Sequence, residues 1–133
     1  MAKLNVALVT PERQVARVEV DMVTAPSVMG QVGILPEHQP LLADLGPGPV
    51  VFKAGNNSET YAISGGFLEV DHDKVTILAE TAEHTSEIDE ERAHHALDDS
   101  EKKLKGLDVN DPEYQEESER VSRARVRLSV LGK

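Results

Sequence analysis

The chain has 133 residues and a formal net charge of −10, from 14 Lys and Arg against 24 Asp and Glu. This acidic balance disfavours nucleic-acid binding, because such a surface repels a phosphate backbone, and the absence of Cys excludes disulfides and thiolate chemistry. The sequence lacks the roughly 20 consecutive apolar residues that a membrane-spanning helix needs, and its first residues do not resemble a signal or transit peptide. We therefore expect a soluble, cytoplasmic protein that meets a membrane only through protein partners.

Residues 1–84 are predicted to form a β-domain. Apolar side chains alternate in "KLNVALV", "TYAIS" and "KVTILAE", and also in "VEVDM", where the alternating residues are Val18, Val20 and Met22. A period of two buries one face of each strand. Turn-forming residues separate the runs, as in "LGPGP" and "DHDK". Short strands with frequent turns predict an antiparallel sandwich or barrel.

Residues 85–133 are predicted to form an antiparallel helical hairpin, because the apolar period changes after Ala82. "SEID" resembles a capping box at the start of the first helix, and Gly106 with "DVNDP" ends that helix. Small and apolar residues share one face of each helix: Ala93, Ala96, Leu97, Ser100 and Leu104 in the first, and Val121, Ala124, Leu128 and Leu131 in the second. Such thin faces bury little apolar surface, so we expect the hairpin to be less stable than the β-domain and able to rearrange.

Acidic residues begin the second helix and basic residues end it. This order complements the helix dipole and needs no further function. However, Arg120, Arg123 and Arg127 share one flank of the helix, with Arg125 on another side. Three guanidinium groups on one flank could also bind a carboxylate-rich partner or a nucleotide phosphate. Both interpretations stay open at this point.

The sequence offers no arrangement typical of an enzyme. "SGGF" lacks the spacing of a phosphate-binding P-loop, and its Gly pair is typical of a strand bend or a close backbone contact. His94 and His95 are adjacent and point to different sides of a helix, so they do not form a metal-binding pair. His38 is more typical of a structural or interface residue. We expect no catalytic residues and no metal site.

Five segments, in this order along the chain, resemble the epsilon subunit of bacterial F-type ATP synthase. "LVTPER" follows the first strand. The others are "GILPEHQPLLADL" (33–45), "ISGGFLEV" with "DKVTILAE" (63–80), "IDEERA" (88–93) and "RARVRLSV" (123–130). The resemblance covers essentially the whole chain. It implies a flattened two-sheet β-sandwich followed by a helical hairpin.

The resemblance also implies a role in the rotor. Such a subunit lies on the central stalk at the cytoplasmic face of the bacterial inner membrane, bound to the gamma subunit and the c-ring, and is not itself catalytic. His38, Gly65 and Gly66 are expected at that interface. The hairpin can extend toward the catalytic head and contact its beta (and alpha) subunits. There Arg120, Arg123 and Arg127 would meet acidic segments of the beta subunits and inhibit ATP hydrolysis.

The "IDEERA" segment further implies a regulatory ATP site, with no covalent cofactor and with the need for magnesium left open. The matching positions are Glu83, Ile88, Asp89, Arg92, Ala93, Arg123 and Arg127. In the alternative interpretation Asp89 only caps a helix, and the arginines serve inhibition or solubility. Asp98 and Asp99 would repel phosphate if they face the site. The sequence leaves two other functions open: an adaptor module built on a stand-alone β-sandwich whose hairpin dimerises, and a small enzyme, for which the sequence offers no set of catalytic residues.

Overall fold

A computed structural model describes residues 3–132. Within them the chain forms ten strands, one 3₁₀ turn and two helices. The strands are β1 (Leu4–Val9), β2 (Gln14–Val20), β3 (Met22–Ser27), β4 (Gly30–Ile34), β5 (Leu41–Leu45), β6 (Gly48–Ala54), β7 (Asn57–Ile63), β8 (Gly66–Asp71), β9 (Lys74–Ala79) and β10 (Ala82–His84). The 3₁₀ turn spans Thr85–Glu87, and the helices are α1 (Glu90–Lys105) and α2 (Pro112–Val130).

The strands follow the order β10-β7-β6-β3-β5-β8-β9-β1-β2, and β4 pairs with β3. One edge of β3 pairs with β4; the other pairs first with β6 and then, through Ser27 and Leu45 alone, with β5. This single pair joins the two layers of the sandwich. Strand β1 pairs antiparallel with β2 and parallel with β9, with Val6 opposite Val75. The predicted sandwich followed by two helices is confirmed.

The core lies between the two layers and is built from alternating aliphatic residues. Leu4, Val6 and Leu8 of β1 and Val75 and Ile77 of β9 are all buried. Each of these alternates with a residue on the outer face of its strand, as the period of two predicts.

The prediction for "VEVDM" was wrong in part, because the segment is not one strand. Strand β2 ends at Val20 and β3 begins at Met22, while the Asp21 carboxylate pairs with Lys3 and accepts a hydrogen bond from the Gly55 N–H at 2.7 Å. The Lys3 contact, with the Gly55 N–H, lowers the pKa of Asp21 below its ordinary value. Val18 is 39% exposed, because β2 lies at the end of the strand order and has a neighbour on one side only.

The Gly pair in "SGGF" permits a close backbone contact at the start of β8. Gly66 has φ +149°, and a Cβ there would lie 1.9 Å from the Leu78 carbonyl oxygen. No side chain fits at that distance, so the interpretation of this segment as a close contact is confirmed. Gly65 has φ +138°, with the carbonyl oxygen of Leu45 at 3.4 Å from its ideal Cβ position.

The helices form the predicted hairpin: α2 lies on β6 and β7, and α1 packs along α2. The expected capping box lies earlier than "SEID". His84 accepts from the Ser86 N–H while Glu87 accepts from the His84 N–H, which closes the 3₁₀ turn. Asp89 then caps α1 by accepting from the Arg92 N–H at 3.0 Å.

Within residues 3–132, neither helix combines the length and apolar character needed to traverse a bilayer.

The interface between the two helices contains a residue that the sequence pattern did not predict. Ala93 and Ser100 of α1 and Val121, Ala124 and Leu128 of α2 are buried, as expected. Glu117, four residues before Val121, is buried with them.

Candidate functional site

A cavity of about 180 Å³ lies where the sandwich joins the hairpin. It is lined by Glu83, Glu87, Asp89, Arg92, Ala93, Ala96 and Arg127, and we call it the hinge cavity. Strand β10 supplies Glu83, and the 3₁₀ turn supplies Glu87. Asp89 is the cap of α1, and the first turns of that helix supply Arg92, Ala93 and Ala96. Arg127 reaches it from the last turns of α2.

Arg127 and Glu83 form the ion pair that ties α2 to β10. The Arg127 Nε donates to Glu83 Oε1 at 2.6 Å, and both side chains are about one third exposed. Charge-assisted hydrogen bonds of this length are among the stronger ones in proteins. The guanidinium of Arg127 is therefore held at the wall of the hinge cavity.

Arg92 is the second cation of the cavity, and its side chain is exposed. Its backbone N–H is used in capping α1, but within residues 3–132 no carboxylate lies within ion-pairing distance of its guanidinium. An anion entering the cavity would therefore meet an unpaired cation at Arg92 and a paired one at Arg127.

The carboxylates of the cavity already have partners. Glu83 accepts from Arg127, Asp89 caps α1, and Glu87 accepts from the His84 N–H at 3.2 Å while lying 3.9 Å from Arg13 Nη2. These contacts reduce, but do not remove, the repulsion that three carboxylates would exert on a phosphate. The arrangement can bind an anion whose charge outweighs that repulsion, such as a polyphosphate held between two guanidinium groups.

The structure brings together five of the seven residues predicted to bind ATP: Glu83, Asp89, Arg92, Ala93 and Arg127. Ile88 and Arg123 are not among the lining residues. Arg123 lines a neighbouring crevice together with Glu83, Arg127, Ser64 and Thr81. Asp98 and Asp99, which could have repelled phosphate, are exposed and do not line the cavity.

Sequence reasoning missed two lining residues, Glu87 and Ala96. Ala96 could have been found from its spacing, because it follows Arg92 by four residues and so shares its face of α1. Glu87 has no such signal, since its position depends on the 3₁₀ turn.

The three arginines expected to contact the catalytic head do not converge in this conformation. Arg120 pairs within α2, with Glu116 and Glu117 both at 2.7 Å. Arg127 is bound to Glu83. Two of the three guanidinium groups would therefore have to exchange partners before meeting another protein.

The outer face of the sandwich carries an exposed apolar patch, formed by Leu42, Phe67 and Leu78. These residues lie on the adjacent strands β5, β8 and β9 and are 73%, 53% and 51% exposed. Phe67 is directly opposite Leu78, and Asp44, two residues after Leu42, is opposite Phe67 on the other side. The three side chains therefore share one face. Val28 and Met29, in the turn between β3 and β4, are also exposed.

The residues predicted at the gamma and c-ring interface lie at two ends of β8. Gly65 and Gly66 line a groove of about 520 Å³ that also includes Val28, Phe67 and Arg123. His38 lies in the connection between β4 and β5, next to Glu37, whose N–H donates to Asp73 Oδ1 beyond the far end of β8. The apolar patch lies between these two positions.

Comparison with known proteins identifies the family. The model described as "ATP synthase, Delta/Epsilon chain, beta-sandwich domain" matches residues 3–85, and "ATP synthase, Delta/Epsilon chain, long alpha-helix domain" matches residues 86–132. The ATP synthase epsilon chain of Anaeromyxobacter sp. strain K is 42% identical over 130 residues, covering 98% of both chains. The epsilon chain of Halalkalibacterium halodurans is 44% identical over 133 residues, covering both chains completely.

Solved structures show the same fold at lower identity. A chain in the Euglena gracilis mitochondrial ATP synthase (OSCP/F1/c-ring) is 23% identical, with a TM-score of 0.86 over 98% of this chain and 82% of that one. One in the Tetrahymena thermophila mitochondrial ATP synthase (central stalk/c-ring) is 20% identical, with a TM-score of 0.65 over 97% and 96%. The resemblance seen in the sequence segments is confirmed, and the chain belongs to the ATP synthase delta/epsilon chain family, as an epsilon chain.

Proposed function

We propose that this epsilon chain is a non-catalytic subunit of the central stalk in a proton-translocating F-type ATP synthase, peripheral to the cytoplasmic face of a bacterial inner membrane. In this role it couples the rotor to the catalytic head. The observation that carries the proposal is the apolar patch of Leu42, Phe67 and Leu78 on an otherwise acidic chain. Large apolar side chains grouped on one outer face mark a surface that another protein covers.

The sandwich is the part that binds the rotor. The apolar patch and the groove at Gly65 and Gly66 form one surface, which we assign to the gamma subunit. His38 and the turn with Val28 and Met29 lie at the margins of that surface and complete its contact with the gamma subunit and the c-ring.

The hairpin is the mobile regulatory part. It meets the sandwich through α2, and the hydrogen bond from Arg127 to Glu83 is the ion pair of that contact. When α2 leaves the sandwich, Arg123 and Arg127 become available to acidic segments of the beta subunits, Arg120 joins them by exchanging Glu116 and Glu117 for a carboxylate of the partner, and ATP hydrolysis is inhibited. Two such packings must lie within a few kcal/mol of each other for a switch to work.

ATP is the proposed ligand of the hinge cavity. The triphosphate would lie between Arg92 and Arg127, which come from different helices and meet only in the closed hairpin. A ligand that binds one state alone stabilises it by RT ln(1 + [L]/Kd). The volume of about 180 Å³ is below the roughly 300 Å³ at the lower end of small-molecule pockets. The crevice that contains Arg123 offers only about 10 Å³, so the base and ribose would extend out of the hinge cavity toward solvent.

Calorimetric titration of the full chain with ATP, with and without magnesium, tests the ligand. Heat of binding is expected for the parent chain and is lost in Arg92→Ala. Arg125→Ala is the matched control, because Arg125 pairs with Glu101 at 3.5 Å and does not line the hinge cavity. Absence of heat up to millimolar ATP would refute ATP sensing and leave the stalk assignment unaffected.

Co-purification with the gamma subunit tests the docking surface. Phe67→Ser is expected to weaken the complex, whereas Val18→Ser, at an exposed position on β2, is expected to leave it intact. If the parent chain instead forms a stable homodimer and no complex with gamma, the adaptor alternative is favoured.

The inhibitory role is tested in the assembled complex with a chain that ends after residue 88. The residues of the core cluster all lie before residue 85, so the shortened chain keeps its own core. Gamma binding is expected to persist while ATP hydrolysis rises. Unchanged hydrolysis would show that the hairpin does not inhibit.

A further inference from the structure

Glu117 occupies an apolar position in the interface between α1 and α2. The residues of α2 that are buried are Glu117, Val121, Ala124 and Leu128, and their spacing of four, three and four residues places them on one helical face. The side chain of Glu117 is 8% exposed. A carboxylate is therefore as buried here as the aliphatic residues that follow it.

Only one of the two carboxylate oxygens has partners. Oε1 accepts from Arg120 Nη1 at 2.7 Å and lies 4.0 Å from Lys103 Nζ of α1. Oε2 is buried and has no hydrogen-bond partner among residues 3–132. Arg120 also binds Glu116, so its charge is shared between two carboxylates.

The surroundings do not compensate for this burial. The side chains of Arg120 and Lys103 are 43% and 62% exposed, so water and salt screen their attraction to Glu117. The unpaired oxygen meanwhile loses its hydration without a replacement. Replacing buried charges of this kind by apolar residues of similar volume is often stabilising.

We infer that Glu117 keeps the interface between α1 and α2 weak, so that the closed hairpin opens easily even though residues 106–111 join the two helices near Glu117. It lies ten residues from Arg127 on α2, about 15 Å along the helix at 1.5 Å per residue. The hinge cavity holds one end of the interface, and Glu117 weakens the other. The inference rests on the proposed mobility of the hairpin, and it adds the residue that sets how easily the hairpin opens.

Amide hydrogen exchange on the full chain tests this inference. Glu117→Leu is expected to slow exchange of hydrogen-bonded amides in α1 and α2 by about tenfold or more, and Glu117→Gln by less, because the amide is still buried. Leu and Glu have similar helix propensities, so the comparison reports on burial. Glu116→Gln is the control: Glu116 binds the same Arg120 but is exposed, and its exchange should stay within about twofold of the parent.

Amides of β8 and β9 serve as the internal reference for intact folding. Slower exchange of the helices in either Glu117 variant supports the inference. Unchanged or faster exchange in both variants overturns it, since Glu117 would then be neutral or stabilising. The Gln variant keeps the test decisive if Leu disturbs the packing.

ATP hydrolysis by the assembled complex separates this inference from the proposed function. A hairpin that opens less should inhibit less, so complexes with Glu117→Leu are expected to hydrolyse ATP faster. Slower exchange combined with unchanged hydrolysis would leave the role of Glu117 standing and refute inhibition by hairpin opening.

Discussion

Arg127 donates a hydrogen bond to Glu83 across 44 residues of sequence, at 2.6 Å. This contact joins the last turns of α2 to the last strand of the sandwich, and it also forms one wall of the hinge cavity. One ion pair therefore holds α2 on the sandwich and occupies a cation that the proposed ligand needs.

A double-mutant cycle measures this ion pair. Glu83→Gln and Arg127→Gln are each expected to lower the free energy of unfolding by about 1 kcal/mol, because both side chains are partly exposed and solvent screens the pair. Their coupling should also be about 1 kcal/mol, measured by urea unfolding. Strictly additive single and double variants would show that the contact contributes nothing to stability.

Asp89 is expected to act as a helix cap that tolerates conservative change. Asp89→Ala should cost about 1 kcal/mol in thermal unfolding, because the Arg92 N–H loses its acceptor, while Asp89→Asn should cost only a few tenths. Asp98→Ala, at an exposed position within α1, is the control for general effects on the helix. A loss in the Asn variant equal to that in Ala would mean that charge, and not capping, is what matters at this position.

Gly66→Ala is expected to destabilise the sandwich by about 3 kcal/mol or more, because the new Cβ meets the Leu78 carbonyl oxygen and the backbone has a positive φ. Gly46→Ala is the matched control, since no heavy atom lies within 4 Å of its ideal Cβ position. Urea unfolding of the two variants makes the comparison. Similar midpoints would contradict the close contact at the start of β8.

Deprotonation of Tyr61 is expected to lower the stability of the sandwich at alkaline pH. Burial, and then the neighbouring Glu59 and Glu87, raise the pKa of Tyr61, partly offset by Arg13. A raised pKa means that the folded state holds the proton more tightly, so this stability is complete below the ordinary value of about 10 and is lost as pH rises through the folded pKa. The substitution Tyr61→Phe is expected to remove this loss of stability at high pH, because Phe has no hydroxyl group to deprotonate.

Thermal unfolding as a function of pH checks the effect of Tyr61. The melting temperature of Tyr61→Phe relative to the parent should be constant below about pH 9 and rise above about pH 10. The ring contacts with Phe52 and His84 remain available to Phe. Parallel curves for the two chains over the whole range would be the contradicting result.

The β-domain could be predicted because burial and sequence share a period there. Leu4, Val6 and Leu8 face the core, and alternation alone gives that. The exposure of Val18 could not be predicted from this alternation. It follows from the place of β2 at the end of the strand order, which depends on long-range pairing. The exposed patch at Leu42, Phe67 and Leu78 was not predicted, because it forms only when β5, β8 and β9 lie side by side.

Only those residues of the hinge cavity that lie close together in the sequence could be predicted to meet there. Asp89 and Arg92 are neighbours because a helix begins there. The meeting of Glu83 with Arg127 depends on how α2 lies on the sandwich, and only the family resemblance indicated it. The burial of Glu117 was not predicted, because a Glu side chain is expected to be exposed to solvent even where its spacing continues the apolar face of a helix.

The parallel pairing of β1 with β9 bears on the order in which the chain folds. Strand β1 is synthesised before the other strands of the sandwich but acquires β9 as its second neighbour only after almost the whole sandwich has been made, and such distant closures are slow compared with local ones. Until then one edge of β1 is unpaired and open to association with other chains. The two helices, in contrast, are adjacent in sequence and emerge last. They arrive when β6 and β7 are already available, so the helical hairpin is assembled onto a finished support.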